Sequence, residues 1–321
     1  MIFNADMNFF PIGIGIDLSD THVYVAKVSY FGRVLDVQEK EIPSGFVVDD
    51  QVIEPEKLNL FLKENFFSQT RSLRSRLTIL IPESRIFRCS FPLPTEKNIV
   101  VRNTVLSLAQ QEIPLLLSSI DVLMNFSLEE NGTFANVETV ERLLVHNLIG
   151  CVPQEHNRLM VIEAHSRALV SLIKKYGSLP NGFVGFIDVN ERWMTITIFN
   201  KEQLVHSRAI RHTFSVDEKE KKEVFAFADF VTERLQEIVL YYKEEQKIID
   251  RFILSGLFFI DQNFREPFKT TYGEVRIEFI DTFFSIKEKK SPHIFSAAAA
   301  IGAAFSAVRS KSSHPFNFFH L

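Results

Sequence analysis

Cysteine is scarce in this sequence, in which Cys89 and Cys151 are the two cysteines among 321 residues. Each lies in an apolar, strand-like stretch with no second cysteine and no metal-spaced histidine nearby. A disulfide framework needs paired cysteines in a secreted chain, and a zinc site needs clustered ligands. The sequence therefore argues against both kinds of site and predicts buried free thiols in a reducing compartment.

The sequence also shows no excess of basic charge, no signal-peptide pattern in its first ten residues and no long apolar run. Its 36 Lys and Arg against 40 Asp and Glu give a net charge of −4, which provides no general attraction to nucleic acid. The first ten residues contain no Lys or Arg, unlike a secretory signal. The longest run of small apolar residues, 295–308, is shorter than the roughly 20 residues that span a bilayer. These absences predict a cytosolic protein.

Motifs of common enzyme chemistry are missing too. There is no Gly-x-Ser-x-Gly motif, no P-loop and no pair of histidines at metal-ligand spacing, and the nine histidines are scattered. Phenylalanine, in contrast, is abundant, with 32 residues against six tyrosines and one tryptophan. Phenylalanine side chains fill cores, and those left exposed make adhesive surfaces. The composition thus predicts large aromatic cores and no recognisable catalytic centre.

The order of predicted elements indicates a mixed α/β fold with two domains, because 321 residues exceed the size of most single cores. Strands alternate with turns over 12–42, a buried strand covers 76–82, and strand character runs over 120–152. A long helix is predicted over 154–176. The sequence GSLPNG at 177–182 then marks the boundary between the domains.

A short internal repeat links the two halves. The stretch IDLSDTHVYVAKV at 16–28 aligns without a gap on IDVNERWMTITIF at 187–199, so that Asp17 corresponds to Asp188. In both stretches apolar residues alternate along the second strand. A strand, a turn and a strand with Asp at the first bend, used once per half, predict two similar domains that face each other.

This pair of hairpins resembles the actin-like ATPases, in which each domain contributes one phosphate-binding turn. Three further stretches resemble the PilM family of type IV pilus assembly, which is related to GspL of type II secretion and to FtsA. They are LAQQEIPLLLSSIDVLMNFSL at 108–128, LQEIVLYYKEEQKIIDRFILSG at 235–256 and FSAAAAIGAAFSAV at 295–308. The resemblance covers nearly the whole chain.

The resemblance implies a two-domain actin-like ATPase (ribonuclease H-like) fold with an inserted subdomain in the first domain. Residues 1–83 and 153–180 would form the first actin-like subdomain, and 84–152 the insert. Residues 181–309 would form the second domain, and 310–321 a flexible tail.

The same resemblance implies a site for ATP or ADP with Mg²⁺ between the domains. Asp17 and Asp188 would hold the metal through water, while the turns would offer backbone N–H groups to phosphates. The nucleotide-binding candidates are Asp17, Ser19, Asp188, Asn190, Ser255 and Gly256. Such turns need glycine so that the backbone can approach a phosphate closely, but Glu191 lies in the second turn, and Leu257 and Phe258 follow the third loop. A degenerate site is therefore expected, without ATP hydrolysis.

The resemblance to PilM further implies a scaffold. In that family a groove between the first domain and the insert receives a short Asn-Leu-Leu-Pro-like peptide from the membrane protein PilN. By position, Arg88 and Arg102 are the candidate anchors in this chain. Other expected partners are pilus or secretion platform proteins and a second copy of the chain, and the expected location is the cytoplasmic face of a bacterial inner membrane.

The end of the sequence is itself similar to such a peptide. HPFNFFHL at 314–321 follows a polar stretch and carries several large apolar residues. The residues that carry the similarity are Phe316, Asn317, Phe318 and Phe319. The chain's own tail is therefore a second candidate occupant of the groove.

Two other interpretations stay open. The apolar tail with Arg309 and Lys311 would place the chain on a membrane, as in FtsA, although Pro315 disfavours an amphipathic helix there. A sugar kinase of the same superfamily would need a catalytic base beside intact glycine loops, and the sequence offers neither.

Overall fold

The fold is built on two five-stranded sheets of the same topology. In the computed structural model the described residues are 10–67, 75–93, 101–112, 122–128, 134–154, 160–176, 182–200, 203–217, 221–269, 275–284 and 292–309. The predicted boundary at 177–182 falls mainly outside them, as does the tail, 310–321. Among the described helices, none combines the length and apolar character needed to cross a membrane.

The first sheet has the order β10-β6-β1-β2-β3. Its strands are β1 Gly13–Leu18, β2 His22–Val28, β3 Val34–Glu41, β6 Arg76–Ile81 and β10 Met160–Ala164. The first three form an antiparallel meander, whereas β6 lies parallel to β1 and β10 parallel to β6. Every residue of β1 is buried, because both faces of this sheet are covered.

The second sheet repeats this plan with the order β13-β12-β11-β14-β15. Its strands are β11 Phe183–Val189, β12 Trp193–Asn200, β13 Gln203–Arg211, β14 Ile249–Gly256 and β15 Arg276–Phe279. Again a three-stranded antiparallel meander continues into two parallel strands. The aspartate hairpins 16–28 and 187–199 occupy the same place in the two sheets, which confirms the internal repeat.

A small third sheet is formed by residues that lie between β6 and β10 in the sequence. Its strands are β7 Phe87–Pro92, β8 Val122–Leu128 and β9 Phe134–Glu141, in the order β7-β9-β8. Helix α2, Val101–Glu112, buries Val105 and Ala109 against Phe91 and Val137 of these strands. This inserted subdomain therefore has its own small core.

The remaining helices cover the sheets. They are α1 Pro55–Leu62, α3 Arg142–Gly150, α4 His165–Tyr176, α5 Lys221–Glu244, α6 Gln262–Arg265 and α7 Ala298–Arg309. A short hairpin of β4 Val47–Val48 and β5 Gln51–Val52 completes the first domain. Helix α3 packs into the first domain's core through Leu144 and Leu148.

Helix α7 lies in direct backbone contact with β1 and α4. A Cβ on Gly15 would lie 1.9 Å from the Ala300 carbonyl oxygen, and one on Gly302 would lie 2.0 Å from the Ala168 carbonyl oxygen. Glycine and alanine make this approach possible, because they add almost no side chain between the backbones. The apolar run 295–308, too short for a membrane span, thus contains most of helix α7, which is buried against β1 and α4.

Two predictions for the middle of the chain are wrong. Residues 160–164 of the predicted helix 154–176 form strand β10, which pairs with β6, and the helix begins at His165. The predicted strand character up to 152 ends at Glu141, and helix α3 begins at Arg142. The pair Leu144 and Leu148 has the four-residue spacing of a helix face, and burial of that face decides the conformation.

Candidate functional site

The two hairpins bring Asp17 and Asp188 to one cleft between the domains. Both side chains are buried, at 6% and 2% exposure. Between them lies His165, the first residue of α4, whose Nε2 is 3.8 Å from Asp17 Oδ2 and 3.3 Å from Asp188 Oδ2. The end of β10 delivers this histidine, because β10 runs parallel to β6 and ends on the cleft side. A buried triad of two acids and one imidazole thus occupies the centre of the cleft.

Electrostatics tie these three groups together. Burial raises the pKa of Asp17 to about 7, with the imidazole of His165 opposing the shift and Asp188 adding to it. Burial also opposes a charged His165, but the carboxylates of Asp188 and Asp17 outweigh it and raise its pKa. Protonation of His165 would place a positive charge between the two buried acids. His165 therefore occupies the place between the two acids where a bound cation would have to lie.

Side chains at the tips of the two hairpins bond to each other. We call this set the hairpin latch: Asp20, Thr21 and His22 of the first hairpin with Glu191 and Arg192 of the second. The Thr21 hydroxyl donates to Glu191 at 2.5 Å, and His22 Nδ1 lies 2.8 Å from the same Oε1. Arg192 Nη1 donates to Asp20 Oδ2 at 2.7 Å. The hydrogen bond with Glu191 raises the pKa of His22. The latch joins the two hairpin turns beside the cleft's cavity, which Asp20, Glu191 and Arg192 help to line.

The first backbone N–H group of each turn is bonded within its own hairpin. The Ser19 N–H donates to the His22 carbonyl at 2.8 Å, and the Ser19 hydroxyl accepts from the His22 N–H at 3.0 Å. In the second turn the Asn190 N–H donates to the Trp193 carbonyl at 2.9 Å, while its amide donates to Asp188 Oδ2 at 3.1 Å. Neither Ser19 nor Asn190 presents its N–H to the cleft.

The third loop is also closed by internal bonds. The Ser255 hydroxyl and the Gly256 N–H both donate to the Phe295 carbonyl, at 2.9 and 3.0 Å. Gly256 has a φ of +106°, and a Cβ there would lie 2.2 Å from the Val189 carbonyl oxygen. Two residues further on, the ring of Phe258 is buried and stacks on Phe227, with the ring centroids 4.5 Å apart. Aromatic packing fills the space beside this loop.

The cleft is too small and too acidic for a magnesium nucleotide in this arrangement. Its cavity measures about 40 Å³, against roughly 300 to 1,000 Å³ for typical small-molecule sites. Within the described ranges, no group of three His, Cys, Asp or Glu side chains is arranged to hold a metal ion. The Glu191 carboxylate at the mouth would meet phosphate charge with like charge. The side chains around Asp17 and Asp188 therefore do not fit Mg²⁺ with ATP or ADP here.

The sequence-predicted candidates are partly brought together. Asp17, Ser19 and Asn190 line the cavity, and Asp188 pairs with Ser255 across β11 and β14. Gly256 is next to Ser255 in β14. Their roles in binding nucleotide or metal stay predictions, and they require the latch to open.

His165 is the residue that sequence reasoning missed. It was hidden inside the predicted helix 154–176, where it had no reason to face either aspartate. The available signal was the alternation of buried Met160, Ile162 and Ala164, which indicates a strand ending just before it.

Among the predicted partner-binding residues, Arg88 is the one whose side chain the structure describes. Arg88 on β7 is committed to internal acceptors: Nη1 pairs with Glu83, Nε donates to Glu138 at 2.9 Å, and Nη2 donates to Ser166 at 3.0 Å. Burial lowers the pKa of Arg88, against the effect of Glu138. Its role as an anchor stays a prediction that would require breaking these bonds.

The other predicted contacts are not described. The side chain of Arg102 and the tail residues Phe316, Asn317, Phe318 and Phe319 lie outside the part of the chain that the structure describes.

Two similar meander-and-parallel sheets, facing each other across a cleft, define the actin-like ATPase fold, here with an inserted subdomain. A chain of the structure described as the PilM–PilN type IV pilus biogenesis complex has this fold, with a TM-score of 0.69 at 12% identity. The match covers 93% of this chain and 99% of that one. The fold predicted from the resemblance to PilM is therefore confirmed.

Two further solved structures align less well. An actin-like ATPase-fold protein of Bacteroides thetaiotaomicron gives a TM-score of 0.48 at 14% identity, over 90% of this chain and 97% of that one. The cytoplasmic domain of EpsL, an inner-membrane component of the Vibrio cholerae type II secretion system, gives 0.47 at 12% identity, over 77% and 82%. No protein-family model matches the sequence, and a search of curated proteins finds no match. The fold assignment rests on the first structure.

Proposed function

We propose that this chain is an actin-like scaffold of a type IV pilus or type II secretion assembly platform, which docks a short peptide from a PilN-like membrane protein. The observation that carries the proposal is the shared fold over 93% of the chain with a protein solved in a PilM–PilN complex. In this role the chain works at the cytoplasmic face of a bacterial inner membrane, beside other platform proteins.

The closed cleft supports a scaffold without nucleotide turnover. Several groups that a nucleotide would use have internal partners: the Ser19 and Asn190 N–H groups donate to carbonyls within their own hairpins, and His165 lies between the aspartates. Opening the cleft would break the latch bonds of Glu191 and Arg192. In this proposal the bonds across the cleft hold the two domains together.

Calorimetric titration of Mg-ATP into the folded chain tests this part. We expect no binding heat up to millimolar ATP, because the triphosphate would have to displace the latch. Glu191→Ala and Arg192→Ala, which remove the latch, serve as comparison variants. Micromolar binding to the wild type that is abolished by Asp188→Ala would contradict the closed cleft and restore the predicted nucleotide site.

The peptide groove is proposed between the inserted subdomain and the first domain. Its walls would be the outer side of α2 and the strand β7, where Ser107 and Ser90 are exposed. Small exposed side chains at these positions leave room for an extended peptide to lie along the subdomain. Arg88 would support this wall from within, through its bonds to Glu138 and Ser166.

A labelled peptide containing Asn-Leu-Leu-Pro is the probe for this groove, measured by fluorescence anisotropy. We expect Ser107→Arg to weaken binding about tenfold, because a long charged side chain would enter the groove. Gln203→Arg, at an exposed position of β13 in the second domain, is the matched control and should bind like the wild type. Equal binding by both variants would show that the peptide does not bind beside α2.

The FtsA-like alternative, attachment to a membrane through the tail, depends on residues outside the described part of the chain. No contact of the described residues favours it over the peptide-docking scaffold.

A further inference from the structure

Three aromatic side chains form an exposed group at the start of the first sheet, here called the aromatic patch: Phe10, Tyr30 and Phe31. Their exposed fractions are 43%, 48% and 72%. Phe10 stacks on Tyr30 at 5.2 Å and meets Phe31 edge-on at 5.1 Å, and Tyr30 meets Phe31 at 5.6 Å. Contiguous exposed aromatic rings are uncommon on soluble proteins and mark places where another apolar group binds.

Helix α7 ends beside this patch. It runs antiparallel to β1, since Gly15 meets Ala300 whereas Gly13, closer to the strand's start, meets Ala304 and Val308. Phe10 precedes Gly13 by three residues, a span of about 10 Å at most. The chain therefore leaves α7 at the end of the sheet that carries the patch.

A second set of contacts places the patch on the side of α7. The Lys175 ammonium, near the end of α4, lies 3.5 Å from the Phe31 carbonyl oxygen. The next residue, Tyr176, packs edge-on against Phe305 of α7 at 5.5 Å. The turn that carries Tyr30 and Phe31 is thus joined to α7 through the end of α4.

We infer that the tail, residues 310–321, docks on the aromatic patch of its own chain through Phe316, Phe318 and Phe319. The six residues 310–315 span up to roughly 20 Å, which is ample for a surface that begins within about 10 Å of Gly13. Aromatic side chains prefer edge-to-face and offset contacts with other rings, which the patch offers. Because the segment is tethered, even weak contacts suffice to keep it bound.

The same geometry argues against the insert as the tail's site in the same chain. The insert leaves the sheet after β6, which runs parallel to β1 and ends at the cleft end. Between the two ends lie the six residues of β1, about 20 Å of strand. Phe316 follows Arg309 by seven residues, so it would need nearly full extension to arrive there. This inference stands independently of the proposed scaffold role.

Hydroxyl-radical footprinting of the full chain tests the inference. The variant Phe316→Ser/Phe318→Ser/Phe319→Ser removes the docking groups, and Ser312→Ala/Ser313→Ala is the matched tail control. We expect oxidation of Tyr30 and Phe31 to rise several-fold in the first variant and not in the second, while Phe225, half exposed on α5, stays constant. The reciprocal variant Phe31→Ser should raise the oxidation of Phe318 and Phe319.

Unchanged oxidation of Tyr30 and Phe31 in the tail variant would overturn the inference. So would protection that increases with protein concentration, which would identify a second copy as the occupant. Protection that disappears on deleting residues 1–9, but not with the tail variant, would identify the N-terminal segment instead. Protection that depends on the tail phenylalanines at every concentration supports docking in the same chain.

Discussion

Replacing Arg88 by methionine is expected to lower the free energy of unfolding by about 3 to 5 kcal/mol, because it removes the buried guanidinium that pairs with two buried carboxylates. Glu83 and Glu138 are almost fully buried, with side chains exposed by 1% and 6%. Burial by itself would raise the pKa of Glu138, but Arg167 and Arg88 together hold it below its usual range. Without Arg88 the carboxylates must lose hydration with less compensation.

The matched control is Arg276→Met, since Arg276 is 71% exposed and pairs with Glu278 at 3.3 Å on the protein surface. An exposed pair contributes less than about 1 kcal/mol. Urea unfolding of both variants at neutral pH measures the contrast. Equal losses in the two variants would show that the buried cluster contributes no more than a surface ion pair.

The loss of Arg88 should also weaken the attachment of the inserted subdomain to the first domain. Arg88 lies on β7 of the insert, whereas Glu83 and Ser166 belong to the first domain. Amide exchange in β7 and β9 should therefore quicken in Arg88→Met, while β1 keeps its protection. If the proposed groove uses this junction, affinity for the peptide probe falls in the same variant.

The start of α4 explains why this junction matters. Three successive residues each contact a different part of the molecule: His165 lies between the cleft aspartates, Ser166 accepts from Arg88, and Arg167 pairs with Glu138 at 3.2 Å. One helical turn thus joins the centre of the cleft to the insert. A change at the cleft has a direct physical route to the insert without any intermediate element.

Much of the architecture could be predicted because it is determined by residues that lie close together in the sequence. The aspartate hairpins show their strand alternation and turn within 13 residues each, and the alanine-rich run already has the composition of a tightly packed helix. The degenerate turns could be recognised for the same reason, since Glu191 stands where a phosphate loop needs a small residue. What could not be read from Glu191 is its partner, because Thr21 lies 170 residues away in the other domain.

The missed features are those set by long-range pairing. The five residues of β10 are a strand because β6 provides an edge, and this pairing delivers His165 to the cleft. Position along the chain predicts Arg88 as an anchor of the peptide groove. Its acceptors, Glu138 and Ser166, lie 50 and 78 residues further along the chain, and only the assembled fold brings them within hydrogen-bond distance.

Glu163 gives the second large effect, which depends on pH. It lies on β10 and faces Ser306 of α7 and Arg167 of α4, and its Oε2 has no hydrogen-bond partner among the described residues. Burial raises the pKa of Glu163 from 4.5 to about 7, against the effects of Ser306 and Arg167, while the Glu138 charge adds to the rise. Between about pH 4.5 and pH 7, Glu163 therefore keeps a proton in the folded state that it has lost in the unfolded state.

A raised folded-state pKa means that this glutamate stabilises the protein fully below pH 4.5, and that the contribution is lost as the pH rises to about 7. The loss amounts to about 3 kcal/mol across this window. Glu163→Gln cannot ionise, so its free energy of unfolding should fall less steeply between pH 5 and pH 7 than that of the wild type. Urea unfolding at half-unit pH intervals measures both slopes.

Glu266→Gln is the control for this comparison, because Glu266 is an exposed glutamate that pairs with Lys269 at the surface. It should reproduce the wild-type slope, and so should not share the flattening expected of Glu163→Gln. Asp17 and Asp50, whose pKa values burial raises to about 7 and about 6, keep a residual slope of the same sign in every variant. If Glu163→Gln follows the wild-type slope through this window, Glu163 is ionised in the folded protein. The contact between β10, α4 and α7 would then hold a charge rather than a proton.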